Sequence, residues 1–251
     1  MTLAAIIFDV DGTLADTERD GHRPAFNAAF AEAGLTWCWD EEVYGELLAV
    51  TGGKERIKHF AARHDPDFLA QPDLEGRIAR LHAAKTRHFL MLLESGGIAL
   101  RPGVAQLIGE SRADGLGLAI ATTTTPENVS ALLRCKLGPA AESWFDVIGA
   151  GDIVAAKKPA ADIYHWVLQR LALPASACIA IEDSANGLVA SLAAAIPTLV
   201  TVNDYTRGQD FSGALAVLAD LGGTRLSDLR RLHASAGGVG QAVNYGFEDL
   251  P

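Results

Sequence analysis

Two carboxylates, Asp9 and Asp11, follow a short apolar segment near the start of the chain, in the sequence Asp9-Val-Asp11-Gly-Thr. The apolar run before them shows no alternation, which is typical of a strand buried on both faces. Residues two positions apart in an extended chain project to the same side, so both carboxylates point the same way. Two like charges there are costly unless a cation lies between them. The pattern favours a divalent metal site over its alternative, an ordinary Asp-Gly turn.

Three more polar groups follow other apolar runs along the chain. They are the threonines 122–125 after the run 116–121, Lys157 and Lys158 after the run 145–149, and Glu182 and Asp183 after the run 178–181. A carboxylate attacks phosphorus only when its own charge and that of the phosphate are offset, so a metal and a lysine are its expected neighbours. Together these groups indicate phosphoryl transfer.

The four acidic residues receive distinct roles in this chemistry. We predict that Asp9 is the nucleophile and a metal ligand, and that Asp11 is the general acid for the leaving alcohol and the general base for water. Glu182 and Asp183, with the backbone carbonyl of Asp11, complete the predicted metal ligands. Hard oxygen ligands of this kind suit Mg2+. Asp183 or Ser184 is also a candidate N-cap of the next helix, and capping is compatible with metal binding.

Thr122 and Lys158 are predicted to bind the phosphate. Thr122 lies where a hydroxyl and the amides of a helix N-terminus can hold phosphate oxygens, and Thr123 is a further candidate. The sequence leaves open which threonine of the four makes the contact. Lys158 directly precedes Pro159 and is the expected ammonium that neutralises charge. Lys157 is either a solvated neighbour or a group that helps to bind a second phosphate.

The elements that position these groups are predicted to form an α/β fold. The expected strands cover 3–8, 116–121, 145–149, 178–181 and 198–202, with a further candidate at 214–218, and the expected helices between them cover 103–113, 126–137, 160–171 and 186–194. Alternation of strands and helices favours a doubly wound parallel sheet of the Rossmann-like kind. Ligands bind beyond the carboxyl ends of strands in such sheets, where the polar groups described above lie.

Residues 17–94 have a different pattern, with apolar residues at helical spacing and no strand-like run. The expected helices of this segment are 24–34, 41–49, 53–64 and 73–93. We therefore predict an all-helical cap domain at 17–94, inserted after the first strand, and an α/β catalytic core formed by 1–16 and 95–251. The glycine-rich tail from Ala234 to Pro251 has no predicted role.

Composition excludes several classes of partner. A net charge of −10 argues against nucleic acid or a membrane surface as the main partner. The cysteines, Cys38, Cys135 and Cys178, are dispersed, which predicts neither disulfides nor a zinc site and favours a reducing, cytoplasmic compartment. The first apolar run is too short for a signal peptide or a membrane span. The sequence does not indicate an oligomeric state.

These motifs resemble those of the haloacid dehalogenase-like superfamily of phosphatases and phosphomutases. They occur in the order Asp9-Val-Asp11-Gly-Thr, the hydroxyl residue Thr122, Lys158-Pro159, and Glu182-Asp183-Ser-Ala-Asn-Gly187. The resemblance spans Ile6 to about Val202. The helical insert is placed like the cap of the beta-phosphoglucomutase-like branch, which implies that it closes over the site and selects the substrate.

Within that branch, residues 16–30 and 51–57 are similar to the CbbY family. That family acts on xylulose 1,5-bisphosphate, an inhibitor of the Calvin cycle enzyme Rubisco. The resemblance implies that Glu18, His22, Lys54 and Arg56 face the substrate from the cap. From the residues alone, each is equally well explained as a surface residue of an amphipathic helix.

We therefore expect a Mg2+-dependent phosphatase that converts xylulose 1,5-bisphosphate, a small sugar bisphosphate, to xylulose 5-phosphate through an aspartyl-phosphate on Asp9. A phosphomutase is the first alternative, since it would use the same residues and pass the phosphoryl group to a second sugar hydroxyl. The second alternative is a non-catalytic sugar-phosphate binding protein, because a fold does not by itself fix a function.

Overall fold

The computed structural model describes residues 2–236, which form two compact units. The larger, which we call the core unit, combines Met1–Asp16 with Leu100–Pro251, and the smaller, the helical unit, is Thr17–Ala99. Most of the glycine-rich tail, residues 237–251, lies outside the described residues. The chain leaves the core unit after Asp16 and returns to it at Leu100.

The helical unit contains a π-helical turn and five α-helices. They are the turn Glu18–His22, α1 Arg23–Glu32, α2 Glu41–Leu47, α3 Gly53–His64, α4 Pro66–Leu69 and α5 Leu74–Glu94. The spacing of apolar residues predicts α1, α2, α3 and α5. The sequence pattern predicts neither α4 nor the π-helical turn, because segments this short contain too few residues to show a period.

An aromatic cluster fills the interior of the helical unit. Trp39 is fully buried, and its ring centre lies 4.6 Å from that of Phe26 and 4.8 Å from that of Phe30. The side-chain amide of Asn27 donates to the carbonyl of Trp39 and accepts from its N–H, both at 2.8 Å. Tilted and edge-on aromatic pairs stabilise a core beyond the area they bury. The helical unit therefore has a hydrophobic core of its own.

The core unit is built on a six-stranded sheet in the order β3-β2-β1-β4-β5-β6. The strands are β1 Ala5–Phe8, β2 Gly117–Ala121, β3 Val147–Gly149, β4 Cys178–Glu182, β5 Thr198–Thr201 and β6 Ala216–Leu218. Every neighbouring pair is parallel. The predicted doubly wound α/β fold is thus confirmed, and the further strand candidate at 214–218 contains β6.

The two central strands explain the unbroken apolar runs in the sequence. Every residue of β1 and of β4 is buried, because helices cover both faces of a parallel sheet. Phe8, the last residue of β1, lies opposite Ile120 of β2 and Ile181 of β4. These three strands therefore end at the same edge of the sheet.

Among the described residues of the core unit, five α-helices accompany the strands. They are α6 Val104–Ala113, α7 Pro126–Leu137, α8 Asp162–Leu171, α9 Ala185–Ala193 and α10 Leu226–Ala236, with 3-10 turns at Ala141–Trp144 and Ala175–Ala177. Helix α10 was not predicted, because only Leu226, Leu229 and His233 of this polar segment are buried. In the described part of the chain, no helix is both long and apolar enough to cross a membrane.

Candidate active site

Asp9 directly follows β1 and is only 7% exposed. Its N–H donates to the carbonyl of Ile181 at 2.9 Å, so β1 and β4 stay joined up to this carboxylate. Gly12 then turns the chain with φ +84°, and a Cβ there would lie 2.3 Å from Oδ2 of Asp183. A side chain at this position would therefore collide with a second carboxylate, and glycine also adopts the positive φ without strain. The turn at Gly12 packs the segment of Asp9 and Asp11 against Asp183.

Lys158 lies between two carboxylates. Its Nζ is 2.6 Å from Oδ1 of Asp9 and 2.6 Å from Oε1 of Glu182. The third ammonium proton is directed to the carbonyl of Ala121, 2.8 Å away at the end of β2. An ammonium has three donors, and here all of them are used. The sequence-predicted lysine thus holds the predicted nucleophile in place and adds positive charge beside it.

Asp9, Glu182 and Asp183 form a buried acidic cluster. One carboxylate oxygen of each lies within 4.8 Å of those of the other two. Three carboxylates beside one ammonium leave an excess of negative charge in a buried place, which is costly without a further cation. An all-oxygen set of hard ligands is what Mg2+ and similar divalent ions prefer. The residues present therefore fit a divalent metal.

The pKa values of these acids reflect the excess charge. Burial raises the pKa of Asp9 to about 7, although Lys158 opposes the shift, and the charges of Glu182 and Asp11 raise it further. Burial also raises the pKa of Asp183 well above its usual range, with added effects from Asp9 and Glu182. In the absence of a cation both acids resist ionisation. A metal ion would favour their charged forms.

Lys158 keeps its positive charge although it is buried. Burial works to lower the pKa of its ammonium, but the charges of Asp9 and Glu182 outweigh burial and raise that pKa above its ordinary value. Lys158 therefore stays protonated at neutral pH and acts as a fixed positive charge, not as a proton donor.

Two residues that the sequence analysis did not single out hold the acidic cluster. The hydroxyl of Tyr164, on α8, donates to Oε1 of Glu182, and burial followed by the charge of Glu182 raises the pKa of this hydroxyl well above 10. Nδ2 of Asn203 donates to Oδ2 of Asp183 at 2.7 Å. Asn203 comes just after β5, so its place beyond a strand end was a usable signal. Tyr164 carried none, because it looks like an ordinary helix residue.

Asp11 lies beyond the cluster. It is half-buried and forms an isolated backbone bridge with Ala15. Among the residues that the structure describes, its carboxylate does not belong to the group that could hold a metal. Its role as the acid and base of the reaction stays a prediction.

The Asp183 carboxylate is likewise not used as a helix cap. Oγ of Ser184 accepts from the N–H of Gly187 at 3.2 Å and caps α9, which leaves Asp183 to the cluster. The alternative role of Asp183 as the N-cap is therefore wrong.

The threonines after β2 are placed unequally. Thr122 is 1% exposed, and its N–H donates to the carbonyl of Gly149 at 2.9 Å. Its Oγ1 accepts from the N–H of Thr124 at 3.3 Å, which shapes the turn into α7. Thr123 is half-buried. The structure thus gives Thr122 a fixed hydroxyl at the strand end, while phosphate contact by either residue stays a prediction.

Lys157 points to a different partner from Lys158. Its Nζ lies 3.0 Å from Oδ1 of Asp152, whose side chain is 80% exposed. This pairing fits the first of the two predicted alternatives, in which Lys157 is a solvated neighbour of Lys158. The structure does not bring Lys157 to the acidic cluster.

Of the four residues implied for the cap, Glu18 and Arg56 are brought together. Nη1 of Arg56 lies 3.5 Å from Oε1 of Glu18 and 3.1 Å from the hydroxyl of Tyr44, which itself donates to Glu18. His22 is buried, with its ring stacked 4.3 Å from that of Phe89. His22 is therefore not a surface residue, so that alternative is wrong for it, whereas Glu18 and Arg56 are half-buried.

Lys54, the fourth residue implied for the cap, is exposed near the start of α3. Its exposure fits the surface alternative as well as it fits a ligand contact. Whether any of the four contacts a substrate stays a prediction.

Comparison with known proteins places this site in context. A family model for haloacid dehalogenase-like hydrolases matches residues 3–195. The chain is 51% identical to the plasmid protein CbbY of Cupriavidus necator over 220 residues, which cover 88% of this chain and 86% of that protein. It is 50% identical to CbbY of Rhodobacter capsulatus over 221 residues, which cover 88% of this chain and 95% of that protein.

Solved structures give the same relatives. CbbY from Rhodobacter sphaeroides in complex with phosphate has a TM-score of 0.82 at 47% identity, over 90% of this chain and 99% of that one. A mutant of that protein in complex with xylulose-(1,5)bisphosphate has a TM-score of 0.83 at 48% identity, with the same coverage. A beta-phosphoglucomutase from Clostridium difficile has a TM-score of 0.75 at 17% identity and shares the fold.

Proposed function

We propose that this chain, which belongs to the haloacid dehalogenase-like hydrolase family, is a Mg2+-dependent phosphatase that converts xylulose 1,5-bisphosphate to xylulose 5-phosphate. Membership of this family and its similarity to the CbbY proteins make it a phosphatase. The observation that carries the mechanism is the buried group of Asp9, Lys158, Glu182 and Asp183. The substrate is proposed from the related CbbY that was solved with xylulose-(1,5)bisphosphate.

The metal proposed for the site is Mg2+. Hydrolases of this family use a divalent metal, and Asp9, Glu182 and Asp183 offer it three carboxylates. We propose the backbone carbonyl of Asp11 as a further ligand. Mg2+ suits such a site because it takes hard oxygen ligands and keeps several waters. When bound, the ion supplies positive charge beside the nucleophile and the phosphate.

The first proposed step transfers the phosphoryl group to the protein. A carboxylate oxygen of Asp9 attacks phosphorus, and the bond from phosphorus to the sugar oxygen breaks. Asp11 gives its proton to that leaving oxygen. Lys158 holds the attacking carboxylate through its 2.6 Å bond to Oδ1. We propose that Thr122 and Thr123 bind the phosphate oxygens.

The second proposed step releases phosphate. Water attacks the phosphorus of the aspartyl-phosphate, and Asp11, now ionised, accepts the proton of that water. The bond between phosphorus and Asp9 breaks, which restores both the Asp9 carboxylate and the Asp11 acid. Asp11 is half-buried, whereas Asp9 is buried. This difference supports the role of Asp11 as the residue that meets water.

We propose the helical unit as a cap that recognises the sugar phosphate through Glu18, His22, Lys54 and Arg56. The ion pair between Glu18 and Arg56 supports this proposal for these two, since paired side chains with little exposure are held in one geometry. A contribution of Lys157 to a second phosphate would require Lys157 to leave Asp152, with which it pairs.

The test is phosphate release with and without Mg2+ from xylulose 1,5-bisphosphate, ribulose 1,5-bisphosphate, fructose 1,6-bisphosphate and beta-glucose 1-phosphate. We expect Mg2+-dependent release that is fastest from the xylulose compound. The Asp9→Asn variant should lose turnover by about 1,000-fold or more, because the nucleophile is gone.

The matched control is Asp210→Asn, which removes an exposed carboxylate bound to Ser212 and should leave turnover unchanged. Release from the Asp9 variant near the wild-type rate contradicts the mechanism. Formation of glucose 6-phosphate from beta-glucose 1-phosphate without matching phosphate release makes the protein a phosphomutase.

A further inference from the structure

Arg101 is a buried cation of the core unit that the sequence analysis did not single out. Its side chain is 6% exposed, and it lies one residue after Leu100, where the chain returns from the helical unit. Burying a guanidinium is costly unless its N–H groups are satisfied. Its partners therefore show which parts of the molecule the buried charge holds together.

The terminal nitrogens of Arg101 donate to backbone carbonyls in three separate segments. Nη1 donates to Gly12 and to Thr201, the latter at 2.9 Å, and Nη2 donates to Val202 at 2.6 Å and to Ala219 at 2.7 Å. Nε lies 3.3 Å from Oδ1 of Asp16. Four neutral carbonyls thus meet the fork of the guanidinium, and one carboxylate balances its charge.

The contact with Gly12 holds the turn that follows Asp11. The N–H of Gly12 donates to the carbonyl of Ala15 at 2.8 Å, while the carbonyl of Gly12 accepts from Arg101. Because a peptide group is planar and trans, fixing the Gly12 N–H also fixes the direction of the Asp11 carbonyl. Both peptide groups of Gly12 are therefore held, and with them the backbone of Asp11.

The same guanidinium holds the end of β5 beside the acidic cluster. Its bonds to Thr201 and Val202 fix the backbone up to Asn203, and Asn203 donates to Oδ2 of Asp183. A Cβ on Gly12 would lie 2.6 Å from Nδ2 of Asn203, so the two segments touch. Arg101 thus bonds to both sides of this contact.

We propose that Arg101 is a positioning residue for the reaction. Its planar fork fixes the turn at Asp11 and Gly12 against the pair of Asp183 and Asn203, so that the acid-base group and the metal ligands keep one arrangement. Lysine cannot replace it, because a single ammonium lacks the fork that reaches carbonyls on two segments. The role in acid-base chemistry rests on the proposed function, since it assumes that Asp11 protonates the leaving oxygen.

The test compares Arg101→Lys with Asp16→Asn and with the control Arg225→Lys, whose side chain is 62% exposed and pairs with Glu110 at 2.7 Å. The first readout is the Mg2+ midpoint, defined as the Mg2+ concentration at which half of the protein has bound the ion in a calorimetric titration at fixed temperature. We expect Arg101→Lys to raise it about 10- to 100-fold, the usual effect of losing a group that orients metal ligands. The control should not change it, and Asp16→Asn should change it little because the carbonyl bonds remain.

The second readout is the ratio of kcat/KM for xylulose 1,5-bisphosphate to kcat/KM for p-nitrophenyl phosphate. The nitrophenolate group leaves without a proton, so it does not need Asp11 as an acid. A misplaced Asp11 should therefore lower this ratio, by about tenfold or more if general acid catalysis is lost. A purely structural role of Arg101 would lower the melting temperature and leave both readouts unchanged.

Several outcomes overturn the proposal. One is an Arg101→Lys protein with the wild-type Mg2+ midpoint and the wild-type kcat/KM ratio. Another is an Asp16→Asn protein that is as impaired as Arg101→Lys. This result would show that the ion pair of Arg101 with Asp16 is required, and not the planar fork of the guanidinium. If Arg101→Lys does not fold, Thr201→Val takes its place, because it removes the Thr201 hydroxyl that accepts from Nη1 at 3.2 Å. This variant should raise the Mg2+ midpoint about twofold or more. An unchanged midpoint in Thr201→Val would overturn the proposal.

The proposed substrate can fail separately. A wild-type protein that hydrolyses p-nitrophenyl phosphate but not xylulose 1,5-bisphosphate contradicts the proposed function, while the Mg2+ midpoint still tests Arg101.

Discussion

Among single residues, Asp9 shows most clearly how the site conflicts with stability. It is buried beside two other acids and one lysine. The proposed mechanism needs the ionised form of Asp9, because only a carboxylate is a nucleophile, whereas burial favours the neutral form. Lys158 offsets one negative charge and leaves the rest to a bound cation. This conflict has a measurable consequence in the metal-free protein.

We expect the metal-free protein to lose stability as pH rises from about 4 to above 7. The pKa of Asp9 is raised from 3.8 to about 7 on folding. A pKa that is higher in the folded state gives stability that is full below pH 3.8 and lost as pH rises through 7. The loss from this group is on the order of 1–4 kcal/mol. Melting temperatures in EDTA across this range measure it.

Asp9→Asn should reduce that pH dependence, since an amide does not titrate, and the raised pKa of Asp183 accounts for what remains. Asp210→Asn serves as the control, because hydrogen bonds from Ser212 lower the pKa of Asp210 below 3.8, so its titration lies below the window from about pH 4 to above 7. An Asp9→Asn protein that keeps the wild-type slope in EDTA would show that burial of Asp9 does not govern stability here.

At the scale of elements, the turn between β1 and the helical unit decides whether the acids meet. Gly12 has φ +84°, and a Cβ on it would lie 2.3 Å from Oδ2 of Asp183. We expect Gly12→Ala to weaken Mg2+ binding and turnover by about 100-fold or more, because the collision moves Asp183, a proposed metal ligand, and the substitution also strains the backbone. Melting temperatures measured at increasing Mg2+ concentrations check Mg2+ binding, and a phosphate release assay checks turnover.

Gly34→Ala is the matched control for this substitution. Gly34 also has a positive φ, +71°, but no atom lies within 4 Å of the place of its Cβ. It should lose only about 1–2 kcal/mol of stability to backbone strain and keep Mg2+ binding and turnover. Equal effects of both substitutions on Mg2+ binding would mean that strain, and not the collision with Asp183, is responsible.

For the whole molecule, the metal should act as a stabilising ligand. The chain has a net charge of −10, and its buried acids come from segments as distant as Asp9 and Asp183. A ligand that binds only the folded state stabilises it by about 2.7 kcal/mol at 100 times its dissociation constant. We expect Mg2+ to raise the melting temperature, and Asp183→Asn to remove most of that rise.

Asp210→Asn should leave the effect of Mg2+ intact, because this exposed carboxylate lies outside the acidic cluster. An increase of the same size in the Asp183→Asn protein would place the stabilising ion elsewhere. Calorimetric titration of both variants with Mg2+ distinguishes weaker binding from a change in the fold.

Much of the core unit could be predicted from the sequence. Strands β1 and β4 are buried on both faces, so their apolar runs mark them without any knowledge of neighbours. Parallel strands place their carboxyl ends at one edge, so Asp9, Lys158, Glu182 and Asp183 were expected to meet. Helix α10 could not be seen, because its buried stripe is narrow and its other residues are polar.

The remaining parts of the site depend on contacts between distant segments. Tyr164 and Arg101 have no local signal, since a tyrosine on a helix and an arginine before a proline occur in many surroundings. Their roles arise because the fold directs one hydroxyl to Glu182 and one guanidinium to the carbonyls around Gly12. Backbone carbonyls have no side-chain identity, so no sequence pattern reports such a contact.

The kind of chemistry could be predicted from the residue types that follow buried strands, namely acids, hydroxyls and a lysine. The fold was needed to show which groups hold these residues, which partner Lys157 finds, and whether Asp183 or Ser184 caps α9. The physical reason is that strand periodicity is local, whereas hydrogen bonds such as those of Lys158, Asn203 and Arg101 join segments far apart in the chain.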